Sequence, residues 1–274
     1  MEKKKFELPN LTVEKLSEEL VIANLKLTQA NEKLRQAEQA RSEMFSSISH
    51  DLRSPITAIK NSVEILSDMA EYSPEKVKPL LAIMNRRIDT LEQLINDIFL
   101  LVSLDNNCKK MHLEPLPIGF FLEDFFFCRE ADSYYADRTL LLNVTEDLKT
   151  LVLVDPHELE RVLDNLFTNA YKYSNEGDTI SLATKLENDR VIVSVSDTGI
   201  GIAKEHIPKV FDRCFIAEKA RTPSASSTGL GLSITKSIIE HFNGSIWCES
   251  NLGEGSTFSF SLPIYKTDET TITH

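Results

Sequence analysis

The 274-residue sequence predicts two architectures in tandem. An all-α front part comes first: an N-terminal coiled coil running into a helical hairpin, which a second copy completes as a four-helix bundle. An α+β part follows, built as an α/β sandwich. Three observations carry this reading. Apolar residues recur at helical spacing almost without interruption over residues 16–101. The composition changes over residues 105–117 (DNNCKKMHLEPLP). Beyond that stretch, short alternating apolar runs are interleaved with helical patterns, the signature of helices packed on one side of a mixed sheet.

Residues 1–10 read as a loose end. From there Leu16, Leu20, Ala23, Leu27, Ala30, Leu34 and Ala37 alternate steps of four and three, and the seam resumes, after a polar Arg41, at Met44 and Ile48. A single helix of this kind is marginal in water, so a partner helix is implied. In the next stretch, residues 45–59 (FSSISHDLRSPITAI), Phe45, Ile48, Leu52, Ile56 and Ile59 share one face. His50 falls off that face and should point outward, with Asp51 beside it and Pro55 placed to kink the helix. A carboxylate next to an exposed imidazole can orient one ring nitrogen and sharpen the other as a nucleophile. Taken alone, the stretch reads more readily as a surface histidine on an ordinary amphipathic helix than as an activated nucleophile.

This helix should run to about Ala70, where residues 71–74 (EYSP) break it, with Ser73 as N-cap and Pro74 at the first helical position. A second helix over 74–104 places Val77, Leu80 or Leu81, Met84, Ile88, Leu91, Leu94 or Ile95, Ile98 and Leu101 on one face. Two such helices make an antiparallel hairpin, and two hairpins a homodimeric four-helix bundle. After the boundary at 105–117, a helix is expected over 120–135, strands over 140–144 and 150–154, and a helix over 156–174. Strands over 179–186 and 190–196 flank the turn signal Asn188-Asp189. A short helix over 203–210, a polar loop over 216–228, a helix from Gly229 to about Phe242 and strands over 245–249 and 256–262 complete the sandwich. The expected domains are 1–41, 42–106 and 107–266, with a polar, disordered tail over 267–274.

Forty-two per cent hydrophobic residues suffice for a core, while a net charge of −12 and a pI of about 5.1 argue against a nucleic-acid surface. Cys108, Cys128, Cys214 and Cys248 have no metal or redox spacing and read as reduced thiols. No apolar run is long enough to span a bilayer, and Lys3–Lys5 are not followed by a signal-peptide core. The chain therefore reads as soluble and cytoplasmic, or as the cytoplasmic part of a longer membrane-bound protein.

Three elements of the second domain point to a nucleotide. Asn165 and Asn169 are four apart on one helix face, with Lys172 one step round, a set that suits a hydrated magnesium ion and a phosphate chain. The run Asp197-Thr-Gly199-Ile-Gly201 ends a strand, offering a buried carboxylate to an exocyclic amine and glycines that let a ligand approach. The run Thr228-Gly229-Leu230-Gly231-Leu232 starts a helix, where free N–H groups and the dipole favour phosphate. Each alone is weak evidence; the three in this order are not.

The succession SHDLRSP, DNLFTNAYKYS, DTGIGI, VFDRCF and TGLGL closely resembles the H, N, G1, F and G2 boxes of sensor histidine kinases of two-component signalling, over about residues 41–263. The resemblance implies a Bergerat-type ATP-binding domain and a reaction. His50 would accept the γ-phosphoryl group of ATP and pass it to an aspartate of a response regulator, with Asp51 as base or orienter. Asn169 would ligate magnesium with Asn165 in support, Lys172 would contact phosphate and Tyr173 the nucleoside. Asp197 would read adenine with help from Thr257. Gly199 and Gly201 would floor the pocket, and Gly229 and Gly231 would bracket the hinge of a lid over about 203–228. Two departures stand out: Ser54 replaces the Thr or Asn common four residues after the histidine, which leaves phosphatase activity open, and Ile216 stands where a basic residue is common, a charge Lys219 or Arg221 could restore.

Two other readings exist: a hydroxyl-phosphorylating kinase or ATP hydrolase on the same fold, and a dimer that binds nucleotide without transfer. Asn165, where such hydrolases carry a glutamate, and the complete H box speak against the first; intact His50, Asn169 and glycine motifs speak against the second.

Overall fold

The computed structural model describes residues 13–69, 73–105, 109–144, 149–216 and 229–266, so the predicted loose end, the 71–72 break, most of the 216–228 loop and the tail lie outside it. The described chain divides into two compact units that meet between His50 and Asp51. The first consists of the front of one helix, α1 (Val13–Ser67), on which Leu20, Leu27 and Leu34 of the predicted seam are exposed seven residues apart. α1 runs through Pro55 without a break, although proline withdraws one helical donor there. Of the stripe expected across residues 45–59, Ile48 is buried while Phe45 and Ile56 are exposed, and Pro55 itself is buried in place of Ile56.

The second unit begins within α1 and continues with α2 (Pro74–Asp105), started by Ser73, whose carbonyl accepts from Val77 N–H. α2 carries two apolar stripes, and this corrects the predicted one. Leu94 and Leu101 are buried, with Leu80 rather than Leu81 and Arg87 rather than Ile88 on the covered side. Leu81, Ile88, Ile95 and Val102, spaced by sevens, form a second stripe that stays exposed in the single chain. Apolar identity alone could not separate two adjacent stripes.

The remainder is a layer of helices on a twisted sheet. Its elements are β1 (Glu114–Pro117), α3 (Ile118–Glu130), β2 (Thr139–Asn143), β3 (Leu151–Val154), α4 (Pro156–Tyr173), β4 (Thr179–Glu187), β5 (Arg190–Asp197), α5 (Gly231–His241), β6 (Ser245–Asn251) and β7 (Gly255–Pro263). The main sheet has the order β2-β4-β5-β7-β6, with β2 and β4 parallel and the other pairs antiparallel. The β4–β5 hairpin turns on Asn188 and Asp189, both left-handed (φ 48° and 57°), as a tight hairpin turn requires.

The differences from the sequence expectation are local. β1, inside the stretch read as a boundary, pairs with β3 in a separate two-stranded sheet; its two prolines, which cannot donate, disguised it. The expected 120–135 helix ends at Glu130, and residues 133–135 form a 3₁₀ turn capped by Asp132, whose carboxylate accepts from Tyr134 N–H at 2.9 Å. Only a 3₁₀ turn at Ile207–Lys209 stands where a helix over 203–210 was expected.

β5 alternates strictly, with Val191, Val193 and Val195 turned inward against the helices. Phe167 of α4 is fully buried there, edge-on to Phe125 at 5.1 Å between ring centroids. Phe167→Ala should cost about 3–5 kcal/mol of stability, seen as a lowered urea midpoint. An unchanged midpoint would contradict this packing.

Candidate functional site

α4 is the spine of the site. Asp155 caps it, accepting from His157 N–H at 3.2 Å, and Pro156 sits at the first helical position. Its apolar side, Leu159, Val162, Leu163 and Leu166 among others, is buried in the core. That burial fixes the opposite side, Asn165, Asn169 and Lys172, toward a cavity of about 230 Å³. Asn165 Nδ2 donates to Gly231 O at 3.5 Å and to Thr235 Oγ1 at 3.4 Å, which ties α4 to the start of α5. Lys172 Nζ lies 4.9 Å from the centre of the Tyr173 ring. Gly229, Gly231 and Leu232 complete the cavity on the α5 side, with Phe215 and Ile216 beside them.

Asp197 ends β5, and its side chain is buried on the helix side of the sheet. Burial pushes its carboxyl above the usual carboxylate range; the N–H groups of Gly199, at 2.9 Å from Oδ1, and of Ser256 pull the other way. The turn after it abuts the end of α4, where Ile200 N–H donates to Tyr173 O at 3.0 Å. A Cβ on Gly199 would stand 2.1 Å from Tyr173 O, and one on Gly201 (φ 66°) 2.0 Å from Asn251 O. Backbone packed on backbone therefore demands glycine at both positions. Gly229 likewise fits against Cys214, whose N–H donates to Gly229 O at 3.0 Å.

Thus Asn165, Asn169, Lys172, Tyr173, Gly229, Gly231 and Leu232 gather around one cavity, while the turn after Asp197 adjoins it where Gly199 and Ile200 meet Tyr173, and Gly201 packs on Asn251. Two expected members do not line this cavity. Leu230 is buried in the core, and only its backbone serves, its carbonyl accepting from Ser233 Oγ at 2.8 Å. Thr257 pairs with Ser196 across the strands, their hydroxyls 2.9 Å apart, on the opposite sheet face from Asp197. Ser256, buried and directly opposite Asp197, stands on the face where Thr257 was expected. Strand parity could have found it, since Ser256 shares a face with Phe258, Phe260 and Leu262. Thr228, Lys219 and Arg221 lie outside the described residues. On α1, His50 and Ser54 are exposed and Asp51 is half-buried.

Among the described residues no group of three or more His, Cys, Asp or Glu side chains could hold a metal by itself. One amide and a phosphate chain is the donor set suited to magnesium, which keeps several waters and takes few protein ligands. The cavity side chains fit it.

Comparison with known proteins bears on this geometry. Residues 154–266 match the family of histidine kinase-, DNA gyrase B- and HSP90-like ATPases, and residues 40–107 match the His Kinase A (phospho-acceptor) domain. The sensor protein kinase WalK of Staphylococcus aureus is 31% identical over 231 residues, which are 83% of this chain and 55% of that protein. The sensor histidine kinase WalK of Bacillus subtilis is 33% identical over 237 residues, 85% of this chain and 38% of that one. The chain thus spans about half or less of the length of these curated relatives. Among solved structures, the Acinetobacter baumannii histidine kinase AdeS is similar with a TM-score of 0.62 and 25% identity, covering 79% of this chain and 98% of that chain.

Proposed function

From its membership of the sensor histidine kinase family, we propose that the chain autophosphorylates His50 from ATP and passes the phosphoryl group to an aspartate of a response regulator. The observation that carries the proposal is the convergence of Asn169, Lys172 and the start of α5 on one cavity, in a chain whose exposed His50 is flanked by Asp51. A neutral His50 nitrogen attacks the γ-phosphorus; the N–P bond forms as the bridging P–O bond breaks, and ADP leaves with the electron pair. Asp51 orients the imidazole and takes its proton. Lys172 and the N–H groups at the start of α5 balance phosphate charge, Tyr173 packs on the nucleoside, and Asp197 with Ser256 accepts from the adenine amine. Magnesium held at Asn169 would supply further charge neutralisation. Ser54, one turn from His50, keeps a hydroxyl that could position water for regulator dephosphorylation.

We assign 42–106 to the phosphotransfer hairpin and 107–266 to the catalytic domain. The exposed stripes on α1 and α2 support a homodimer, paired as a coiled coil through Leu20, Leu27 and Leu34 and as a bundle through Leu81, Ile88, Ile95 and Val102. No helix among the described residues is long and apolar enough to cross a membrane; the need for ATP places this part of the protein in the cytoplasm. Incubation with γ-labelled ATP and magnesium tests the reading. Label that is acid-labile and alkali-stable is expected, and label stable to acid would point to a hydroxyl acceptor.

A further inference from the structure

Arg161 lies one turn before Asn165 on α4, so 161, 165 and 169 follow one another along a single face of the helix. Its guanidinium does not point into an open phosphate site: Nη2 is paired with Oδ1 of Asp97, a carboxylate of α2 only 14% exposed. α2 also sends Thr90, Gln93 and Leu94 into the cavity lined by Asn165, Asn169 and Lys172. At about 230 Å³ that cavity is smaller than the ~300 Å³ at which ligand pockets begin. The wall that α2 contributes is acidic as well. A neighbouring hollow between α2 and α4 holds Asp89, Glu92, Asp97 and Asp164. Asp89 and Glu92 present like charge to a polyphosphate approaching Asn169, while Asp97 and Asp164 engage the neighbouring cations Arg161 and Arg129.

The link just beyond α2 is anchored to the start of the same helix. Lys109 pairs with Glu158, and His112 N–H donates to Asp155 Oδ2 at 3.0 Å. Those contacts act as a pivot. Asp97 lies roughly two turns, about 12 Å, back along α2 from its end, so its bond to Arg161 is a second tie between the helices beside the one at Glu158.

Resting on the nucleotide reading above, we propose that Asp97 and Arg161 form a latch opened by exchange of partners. In the closed form Arg161 is held by the Asp97 carboxylate, and α2 narrows the phosphate end of the cavity. In the open form the terminal phosphates of a nucleoside triphosphate take the guanidinium, bidentate like the carboxylate they displace, and α2 swings clear. Latch closure and triphosphate binding then oppose each other reciprocally, by thermodynamic necessity.

Binding of a non-hydrolysable ATP analogue with magnesium, titrated by calorimetry into the full chain, tests this. Asp97→Asn should bind the analogue about fivefold or more tighter than wild type and label faster with γ-labelled ATP. Damage to a merely structural contact would weaken binding instead. Arg161→Gln frees the latch but removes the phosphate's partner, so its affinity should not exceed the wild-type value. An Asp97→Asn chain with native circular dichroism and unchanged or weaker affinity would overturn the latch. So would Arg161→Gln binding as tightly as Asp97→Asn. Wild-type chain that fails to bind the analogue at all would overturn the nucleotide reading, and the latch with it.

Discussion

His50→Gln should reduce labelling from γ-labelled ATP to background while leaving affinity for an ATP analogue unchanged. Glutamine preserves size, polarity and helix propensity, so α1 (Val13–Ser67) should persist. What it removes is an imidazole nitrogen with a basic lone pair; an amide nitrogen carries two hydrogens and no basic pair to place on phosphorus. His50 is exposed, so its replacement leaves no cavity and exposes no core. Calorimetry with the analogue and filter-binding with labelled ATP separate the two effects. Acid-stable label surviving in the variant would move the acceptor to a hydroxyl and make the chain another kind of kinase on the same fold.

Asn169→Asp should weaken binding of the magnesium–nucleotide complex by about a hundredfold or more and abolish labelling with it. The amide can donate with its nitrogen while its oxygen faces a cation; a carboxylate only accepts, and it turns a formal charge toward the phosphates. At roughly 4 Å in a half-buried site, such a like charge costs a few kcal/mol, about the hundredfold stated. Asn169 is only half-buried and lines the cavity without supporting the core, so the fold should hold. Unaltered analogue affinity in a folded Asn169→Asp chain would remove this residue from the phosphate end.

The sequence was most informative where one side of an element is buried. The alternation of β5 and the amphipathic pattern of α4 were legible because a sheet and a helix layer each enforce one period. The gathering of Asn165, Asn169 and Lys172 followed directly, since a helix whose back is buried has its front decided. Legibility failed where two signals overlapped. β1 was hidden by its prolines, and the covered stripe of α2 by a second apolar stripe beside it. Thr257 entered by resemblance alone, and strand parity turns it to the other face. The contacts that require the glycines after Asp197, with Tyr173 and Asn251, come from segments far away in sequence. The Asp97–Arg161 pair joins residues 64 positions apart and left no mark in any local pattern.

The close seating of Gly199 against the carbonyl of Tyr173 has a mechanical meaning. It leaves no slack between the strand end bearing Asp197 and the helix bearing Asn169 and Lys172, so the two ends of the site belong to one stiff frame. Such a frame works as a caliper of fixed span. A ligand has to carry a group for Asp197 and a phosphate for Lys172 at the separation the frame sets, and a molecule too short or too long satisfies one jaw only. Discrimination by length would then come from the backbone itself, without any side chain dedicated to rejecting the wrong nucleotide.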